Sequence, residues 1–494
     1  MNQSKNTNTP PCTLVIFGAS GDLTERKLIP ALHSLDCDGM LPPALQVLGV
    51  ARTQLSDEEF RAKVRLGVEE HGRFEPEVWE PFAERLHYLT GSYDDPETFR
   101  RLEDRLKRQV EEAGTQGNYL FYLAIPPVVY SSVVRQLGET GLNHSDSGWS
   151  RIIIEKPFGT NLESARQLNK EIHQYFDESQ VYRIDHYLGK ETVQNILAFR
   201  FANFIFEEMW NRSFIDHIQI SALESIGIEH RGDYYEKSGV VRDIVQNHLL
   251  QLLSLTAMDP PISLEAKTLR DEKLKVLQVM KPITMKQVVL GQYASYRQEP
   301  DVAPDSNTPT YAALKVHVDS WRWQGIPFYL RAGKCLSRKA TEIVVQFKHV
   351  PKQIFSENRR LEPNHLSLCI QPDEGTHLSF ELKIPGAGMR TKPVEMDFHY
   401  EEYFGQKAIP EAYERLLLDA LQGDQSLFGR SDEIERAWEL VTPLLKEWEA
   451  IESPPLNFYE DGSYGPDKAR KLIEKDGHSW LMLCAEHPKP PEED

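Results

Sequence analysis

The length of 494 residues predicts two or three domains, and the shares of 40% hydrophobic and 27% charged residues are typical of a globular protein. Its 75 acidic and 56 basic residues give a net charge of −19, which disfavours nucleic acid and anionic membranes as partners. Five cysteines without CxxC or Cys/His ligand spacing argue against a disulfide framework and structural zinc. The polar N-terminus lacks a signal-peptide core and no apolar run reaches membrane-spanning length, so the sequence predicts a cytoplasmic protein.

Residues 1–11 are predicted to form a disordered tail, and residues 13–17 form the first strand. The segment GASGDLTERKL follows directly, with Gly18 and Gly21 in a turn and apolar residues at helical spacing beyond it. A strand, a glycine turn and a helix in this order are typical of a dinucleotide-binding unit, where the helix N-terminus offers N–H donors to a pyrophosphate. The spacing is GxxGDLT rather than GxGxxG, with Thr24 in the third position, so a plain tight turn is the open alternative.

The second strand, at residues 45–51, ends at Arg52 and Thr53. NAD enzymes place an acidic residue here to bind the ribose hydroxyls, whereas arginine suits the 2′-phosphate of NADP. The pair therefore favours NADP, although surface arginines after strands are common and NAD stays open.

Strands and helices continue to alternate up to residue 185. A charge-rich helical stretch covers 56–86, and further helices cover 96–113, 128–137 and 162–178. Strands end near Ser92, cover 118–127 and 151–160, and finish with 180–185. This alternation predicts a doubly wound α/β domain.

Two polar turns follow strands of this domain. In the first, Pro157 restricts Lys156 to an extended conformation and directs it over the carboxyl edge of the sheet, where ligands bind; a rigid turn with a solvated lysine is the alternative. In the second, RIDHYLGKE, the side chains of Asp185, His186, Tyr187 and Lys190 fall within six positions. Gly189 lets the backbone turn where a side chain would obstruct it. A polar loop before a helix is the alternative for this stretch.

The pattern changes after Glu191. Residues 239–255 show helical spacing, with His248 on or beside the apolar face, so a core histidine is the alternative to a functional one. From residue 288 onward there are seven strand-like segments, several of which alternate apolar and polar residues, with a cationic loop at 331–339 and helices at 411–449. These features predict an α+β domain with a large antiparallel sheet.

Five motifs in this order, GASGDLTERKL, EKPFG, RIDHYLGKE, RDIVQNHLLQ and RAGKCL, resemble those of the glucose-6-phosphate dehydrogenase family, over roughly residues 14–480. The resemblance implies a Rossmann-like NADP-binding domain at 12–185 and an α+β domain for substrate binding and oligomerisation at 186–494, with a large, mostly antiparallel sheet. It implies oxidation of D-glucose 6-phosphate at C1 to 6-phospho-D-glucono-1,5-lactone, with hydride transfer to NADP, in the oxidative pentose phosphate pathway. Members of the family assemble as homodimers or homotetramers.

The resemblance also implies roles for individual residues, with no metal. His248 is the implied general base and Asp185 its orienting carboxylate. The implied substrate residues are Lys156, His186, Tyr187, Lys190, Glu224, Asp243, Lys334 and Lys339. The implied cofactor residues are Gly18, Ser20, Gly21, Asp22, Leu23, Arg52, Thr53, Ser92, Tyr93, Pro127 and Lys156.

Two other functions stay open. A related sugar oxidoreductase could share the EKP turn, but an unphosphorylated sugar needs no cationic loop such as RIDHYLGKE. A non-enzymatic NADP-binding regulator could share the fold, but it would have no need of His248 and Asp185.

Overall fold

The computed structural model describes residues 9–355, 361–405, 409–452 and 454–484. The chain divides into two compact units. The first comprises Met1–Lys190, Ile262–Arg270 and Pro410–Glu435, and the second comprises Glu191–Pro261, Asp271–Ile409 and Arg436–Asp494. Over the described residues, no helix is both long and apolar enough to cross a bilayer.

Six strands and six α-helices lie between Thr13 and Ile184, and they alternate except that α2 and α3 both lie between β2 and β3. The strands are β1 (Thr13–Phe17), β2 (Gln46–Ala51), β3 (Leu86–Thr90), β4 (Tyr119–Leu123), β5 (Ser150–Ile154) and β6 (Val181–Ile184). The helices are α1 (Ile29–Cys37), α2 (Asp57–His71), α3 (Pro76–Glu84), α4 (Pro96–Ala113), α5 (Tyr130–Glu139) and α6 (Leu162–Ile172). A π-helical segment, Thr24–Leu28, leads into α1.

The remaining elements begin at Glu191. The helices are α7 (Glu191–Phe201), α8 (Phe204–Met209), α9 (Gly232–Val240), α10 (Leu250–Ala257), α11 (Ala266–Gln278), α12 (Tyr400–Phe404), α13 (Ala412–Gln422), α14 (Ser431–Glu449) and α15 (Asp467–Glu474). The strands are β7 (Ile215–Leu223), β8 (Val288–Tyr293), β9 (Tyr311–His317), β10 (Pro327–Gly333), β11 (Ala340–Phe347), β12 (His365–Gln371), β13 (Gly375–Lys383), β14 (Thr391–His399), β15 (Phe428–Gly429) and β16 (Asn457–Tyr459).

The first unit is built on a seven-stranded sheet in the order β15-β6-β5-β4-β1-β2-β3. β1 to β6 are parallel, and β15 joins β6 in the antiparallel direction. β1 and β4 are buried at every residue, as expected for interior strands of a parallel sheet with helices on both faces. Their side chains pack with Leu102 of α4 and Val133 of α5 in one hydrophobic core.

The second unit is built on a nine-stranded sheet in the order β14-β13-β12-β11-β7-β10-β9-β8-β16. Most neighbours are antiparallel, but β7 runs parallel to β10, and β8 to β16. The predicted fold class, a Rossmann-like α/β domain followed by an α+β domain with a large, mostly antiparallel sheet, is confirmed.

The division into units differs from a single boundary after Asp185. The first unit continues to Lys190 and takes in residues 410–435, because β15 pairs with the edge of β6 and α13 packs against α1. The helical pattern of 410–435 carries no sign of this return. Of the predicted disordered tail at 1–11, residues 1–8 lie outside the described residues, whereas Thr9 is buried and its hydroxyl accepts a hydrogen bond from Gln422 at 3.3 Å.

Two helix predictions need correction. The stretch 56–86 forms two helices, α2 and α3, and then enters β3. The predicted helix over 239–255 is a π-helical segment, Val241–Leu249, followed by α10. Gly239, near the end of α9, has φ 56° and ψ 173°, so the helical conformation is interrupted there, two residues before the π-helical segment begins. Apolar spacing locates a helix but does not distinguish the α-helical turn from the wider π-helical turn.

The cysteine spacing argues against a disulfide framework, but the structure contains a disulfide. Cys369 of β12 and Cys484 are joined by a disulfide, although 115 positions separate them in sequence. The remaining three cysteines, Cys12, Cys37 and Cys335, are free. The two bonded residues meet because the chain returns to the second sheet near its end, which cysteine spacing does not reveal.

Candidate active site

The predicted cofactor residues lie along one edge of the first sheet. Because β1 to β6 are parallel, the turns that follow these strands leave from the same carboxyl edge, in the order of the strands in the sheet. From β6 to β3, this edge carries residues 185–190, then Lys156, Pro127, residues 18–23, Arg52 with Thr53, and Ser92 with Tyr93.

The glycine turn after β1 is closed by Thr24 rather than by a third glycine. Gly18 has φ 90°, and a Cβ atom there would overlap the carbonyl oxygen of Ala124. The Thr24 hydroxyl is buried and donates to the Gly18 carbonyl oxygen at 3.3 Å, and the N–H of Gly21 donates to the same oxygen at 2.9 Å. Asp22 is exposed and pairs with Arg26 at 2.9 Å. A close-backbone turn at the start of a helix fits the pyrophosphate of a dinucleotide.

Arg52 and Thr53 are exposed just beyond β2. The Thr53 hydroxyl donates to Ser20 Oγ at 3.1 Å, and its carbonyl oxygen accepts from Tyr88 at 2.8 Å, so the turns after β1 and β2 are joined. A hydrogen bond from Ser92 and the nearby Arg52 charge lower the pKa of Asp94. Asp94 is thus an acidic neighbour of Arg52 that the sequence argument missed, since it lies in the turn of a different strand.

Tyrosines anchor the turn that carries Lys156. Glu155 Oε1 accepts hydrogen bonds from Tyr122 and from Tyr413 at 3.1 Å, and its backbone carbonyl oxygen accepts one from Tyr130 at 3.1 Å. Burial raises the pKa of Glu155. The Lys156–Pro157 peptide bond is cis, and Lys156 is half-buried. Glu155 is therefore held in place directly before Lys156, and nothing in the sequence marks Tyr413 as its partner.

The loop after β6 is folded tightly. Asp185 is buried, its Oδ1 accepts from the N–H of Tyr187 at 3.0 Å, and its carbonyl oxygen accepts from Leu188 at 3.0 Å. The Lys190 ammonium lies 5.0 Å from the centre of the Tyr187 ring, and the His186 ring meets that ring edge-on. The Lys190 ammonium and the His186 imidazole thus both lie against the buried ring of Tyr187.

The packing of α13 explains the glycine in this loop. A Cβ atom on Gly189 would lie 2.6 Å from the carbonyl oxygen of Ala412 and 2.9 Å from Leu416 Cγ. The other cation of the motif, Arg183, has a structural role: it is buried and donates to Glu178 at 2.7 Å and to Asn169 at 3.1 Å.

In the second unit, His248 and Asp243 belong to the π-helical segment Val241–Leu249, which packs against β7 and β10. Both side chains are buried, and His248 is only 1% exposed. The Tyr234 hydroxyl donates to Asp243 Oδ1 at 3.2 Å, while burial, followed by the Asp243 charge, raises the pKa of Tyr234. π-Helical turns are rare and often occur at functional sites, so the conformation weakens the core-histidine alternative for His248.

Glu224 and Lys334 meet because β7 and β10 are parallel neighbours. Leu223 and Gly333 are paired at the ends of these strands, so the next residues, Glu224 and Lys334, leave together, and their side chains form an ion pair. Lys334 is 5% exposed, its ammonium lies 5.5 Å from the ring of Tyr235, and its carbonyl oxygen accepts from Tyr459 at 2.7 Å. Lys339, directly before β11, is exposed instead.

Comparisons with known proteins extend over both units. A family model described as "Glucose-6-phosphate dehydrogenase, NAD binding domain" matches residues 15–195, and one described as "Glucose-6-phosphate dehydrogenase, C-terminal domain" matches residues 197–481. The chain belongs to the glucose-6-phosphate dehydrogenase family.

Relatives in this family match nearly the whole chain. Glucose-6-phosphate 1-dehydrogenase of Aggregatibacter actinomycetemcomitans is 47% identical over 483 residues, which cover 95% of this chain and 97% of the relative. Glucose-6-phosphate 1-dehydrogenase 6, cytoplasmic, of Arabidopsis thaliana is 46% identical, with 94% and 91% covered.

Two solved structures are similar throughout. One is a glucose-6-phosphate dehydrogenase in complex with its substrate glucose-6-phosphate, with a TM-score of 0.90 and 36% identity over 96% of this chain and 99% of that one. The other, glucose-6-phosphate 1-dehydrogenase from Mycobacterium avium, has a TM-score of 0.85 and 37% identity over the same shares. An NAD(P)-binding domain of the glucose-6-phosphate dehydrogenase family therefore occupies the N-terminal part of the chain.

Proposed function

We propose that this chain is a glucose-6-phosphate dehydrogenase, which oxidises D-glucose 6-phosphate at C1 to 6-phospho-D-glucono-1,5-lactone and reduces NADP. The observation that carries the proposal is the 47% identity to a protein of that name over 95% of the chain. The name of the Arabidopsis relative supports a cytoplasmic location as well.

The first unit supports NADP as the cofactor. Bound NADP would supply the hydride acceptor. Gly18 and Thr24 form a tight turn, in which Gly18 has φ 90° and no room for a Cβ beside the Ala124 carbonyl oxygen, and Ser20, Gly21, Asp22 and Leu23 continue it. Arg52, with Thr53 beside it, offers an exposed guanidinium to a 2′-phosphate, and a guanidinium binds phosphate through two parallel hydrogen bonds. Ser92, Tyr93 and Pro127 complete the cofactor edge.

The cationic residues of the two units suit a sugar phosphate. We assign His186, Tyr187 and Lys190 to the phosphate group, because local cations are needed to attract a dianion to a chain with net charge −19. Lys156 is assigned to both substrate and nicotinamide. We assign Glu224 and Asp243 to the sugar hydroxyls, whose hydrogen bonds a carboxylate can accept, and Lys334 and Lys339 to the substrate as well.

His248 is proposed as the general base. Oxidation of a C1 hydroxyl requires removal of the hydroxyl proton as hydride leaves, and a neutral imidazole does this near neutral pH. Asp185 is proposed as the carboxylate that orients the imidazole and stabilises its charged form, as in other acid–base pairs.

We also propose that the chain forms homodimers or homotetramers through the second sheet. β14 is the end strand of that sheet, and Leu382, Met396, Tyr403 and Phe404 are large hydrophobic residues exposed on or near it. Apolar surface beside an unpaired strand edge favours association. Sedimentation velocity of the purified chain should give a dimer or tetramer, and a monomer at micromolar concentration would contradict this assignment.

The catalytic proposal is tested by following NADPH absorbance with glucose 6-phosphate, glucose and 6-phosphogluconate as substrates. Turnover should be confined to glucose 6-phosphate and faster with NADP than with NAD. Faster turnover of glucose would instead favour the related sugar oxidoreductase. No turnover of any sugar, together with tight NADP binding, would favour the non-enzymatic regulator. A His248→Asn sample prepared in the same way controls for contaminating activity.

A further inference from the structure

The last described residues form a strap across the second sheet. We define the C-terminal strap as residues 476–484, which follow α15. The Asp476 carboxylate accepts a hydrogen bond from Lys315 at 2.7 Å, and the His478 ring packs against that of His217 at a tilt of 32°, with ring centres 4.1 Å apart. The Trp480 ring lies 4.4 Å from the Arg331 guanidinium. Strap residues therefore contact side chains of β9, β7 and β10.

Buried polar side chains of three adjacent strands bind the backbone of the strap. Gln219 of β7 donates to the Ser479 carbonyl oxygen and accepts from the Leu481 N–H, both at 2.9 Å. Arg331 of β10 donates to the Leu481 carbonyl oxygen at 2.9 Å.

Glu342 of β11 continues this pattern. Its Oε2 accepts from the N–H groups of Leu483 at 3.0 Å and Cys484 at 3.2 Å. Gln219, Arg331 and Glu342 are each at most 2% exposed. Because buried polar groups lose free energy when they lose their partners, the strap is an integral layer on this face of the sheet.

The disulfide closes this layer at its far end. Cys369 lies on β12, next to β11, and the Cα atoms of Cys369 and Cys484 are 5.5 Å apart, which is the usual separation in a disulfide. Both residues are at most 2% exposed. Apart from this bond, the strap is held to the sheet by non-covalent contacts of the kind described above.

We propose that Cys369 and Cys484 are a thiol–disulfide modification site that latches the C-terminal strap. Two thiols lose two protons and two electrons as the sulfur–sulfur bond forms, and a low-molecular-weight disulfide, such as oxidised glutathione, accepts them and becomes two thiols. Reduction by a dithiol reverses the step. In a reducing cytoplasm such a bond is expected to be redox-sensing rather than permanent.

The Cys369–Cys484 disulfide limits how far the strap can open, and it does not change where the strap docks. With the bond reduced, the contacts to Gln219, Arg331 and Glu342 still favour docking, but the strap opens locally as its contacts fluctuate. With the bond formed, opening requires Cys484 to stay beside β12. β7 and β10, which lie under the strap, end directly before Glu224 and Lys334, and β11 begins directly after Lys339. The disulfide therefore constrains a segment that packs on the strands that position these side chains.

Hydrogen exchange of the full-length protein tests the proposal. The protein is oxidised with oxidised glutathione or reduced with dithiothreitol, and exchange is followed by mass spectrometry. Amides of residues 479–484 should exchange on the order of 30- to 1000-fold faster in the reduced protein, the equivalent of the about 2–4 kcal/mol that a disulfide typically contributes. Cys484→Ser and Cys369→Ser should exchange fast under both conditions. Cys37→Ser, a free cysteine of the first unit, should behave like the parent.

Three results would overturn the proposal. Equal exchange in oxidised and reduced parent protein would show that the bond does not control the strap. Alkylation of both thiols after incubation with oxidised glutathione would show that the bond does not form. Zinc retained by the reduced parent in equilibrium dialysis with zinc chloride, and lost in Cys369→Ser, would assign the cysteines to a metal site with Glu342, whose ligand atoms lie within 4.8 Å of theirs.

Discussion

Replacing Gly189 with alanine should weaken substrate binding through the packing of the loop against α13. The backbone of Gly189 lies outside the left-handed region, so alanine is not strained by its own dihedral angles. Its Cβ, however, would lie 2.6 Å from the Ala412 carbonyl oxygen and 2.9 Å and 3.0 Å from two Leu416 carbons. These separations are well below van der Waals contact, so either the loop or α13 must move.

Overpacking of this kind costs about 1–3 kcal/mol. If the loop takes the whole strain, His186 and Lys190 are displaced and glucose 6-phosphate affinity falls by up to about 5- to 160-fold. If α13 moves instead, the free energy of unfolding falls by about the same 1–3 kcal/mol. Substrate affinity is measured by equilibrium titration and stability by urea unfolding, and NADP affinity should change little.

Two further variants separate this steric cause from a general effect of alanine. Gly114→Ala, after α4, meets no atom within 4 Å but places alanine at φ 71°, so it should cost about 1–2 kcal/mol of stability without affecting substrate affinity. Leu416→Ala removes two of the three close contacts, so its combination with Gly189→Ala should cost less than the sum of the single changes. Unchanged substrate affinity and stability in Gly189→Ala, or strict additivity with Leu416→Ala, would refute the reasoning.

The remaining predictions concern catalysis, specificity and pH. His248→Asn should reduce turnover by about 10²- to 10⁴-fold while both ligands still bind in titrations, and Asp185→Asn should lose less; parent-like turnover in His248→Asn would place the base elsewhere. Arg52→Ala should raise the KM for NADP far more than that for NAD, and equal losses would exclude a role in reading the 2′-phosphate. Lys190→Ala should weaken glucose 6-phosphate binding and spare NADP, and unaltered sugar-phosphate affinity would defeat its assignment. Burial lowers the pKa of His33, so the unfolded chain takes up that proton first, and stability should fall as pH drops below about 6.5; in urea unfolding at a series of pH values, His33→Gln should show a shallower slope, and an unchanged slope would assign the loss to other groups.

The alternation of strands and helices made the first sheet predictable. A parallel sheet buries its strands on both faces, so β1 and β4 appear in the sequence as short apolar runs separated by helices. The carboxyl ends of such strands lie on one edge, and the sequence directs Lys156 over that edge; the turns with Gly18 and Arg52 follow strands of the same sheet and lie there too.

Contacts made by residues distant in sequence were not predictable in this way. Tyr413 reaches Glu155 only because residues 410–435 return to the first unit, and Cys484 reaches Cys369 only because the strap crosses the second sheet. Neither segment carries a local pattern that specifies its partner. Asp94 was missed for a related reason, since it approaches Arg52 from the turn of a neighbouring strand.

Within each unit, parallel neighbouring strands bring predicted site residues together. In the first sheet, parallel strands gather the turns that carry the predicted cofactor residues at a single edge. In the second sheet, which is mostly antiparallel, the parallel pair of β7 and β10 lets Glu224 and Lys334 leave side by side, and the π-helical segment with Asp243 and His248 packs on these two strands. An antiparallel neighbour would have placed the residue after one strand at the opposite end of the other. Alternating strand patterns reveal neither which strands become neighbours nor their direction, so the ion pair between Glu224 and Lys334 could be derived only from the sheet order.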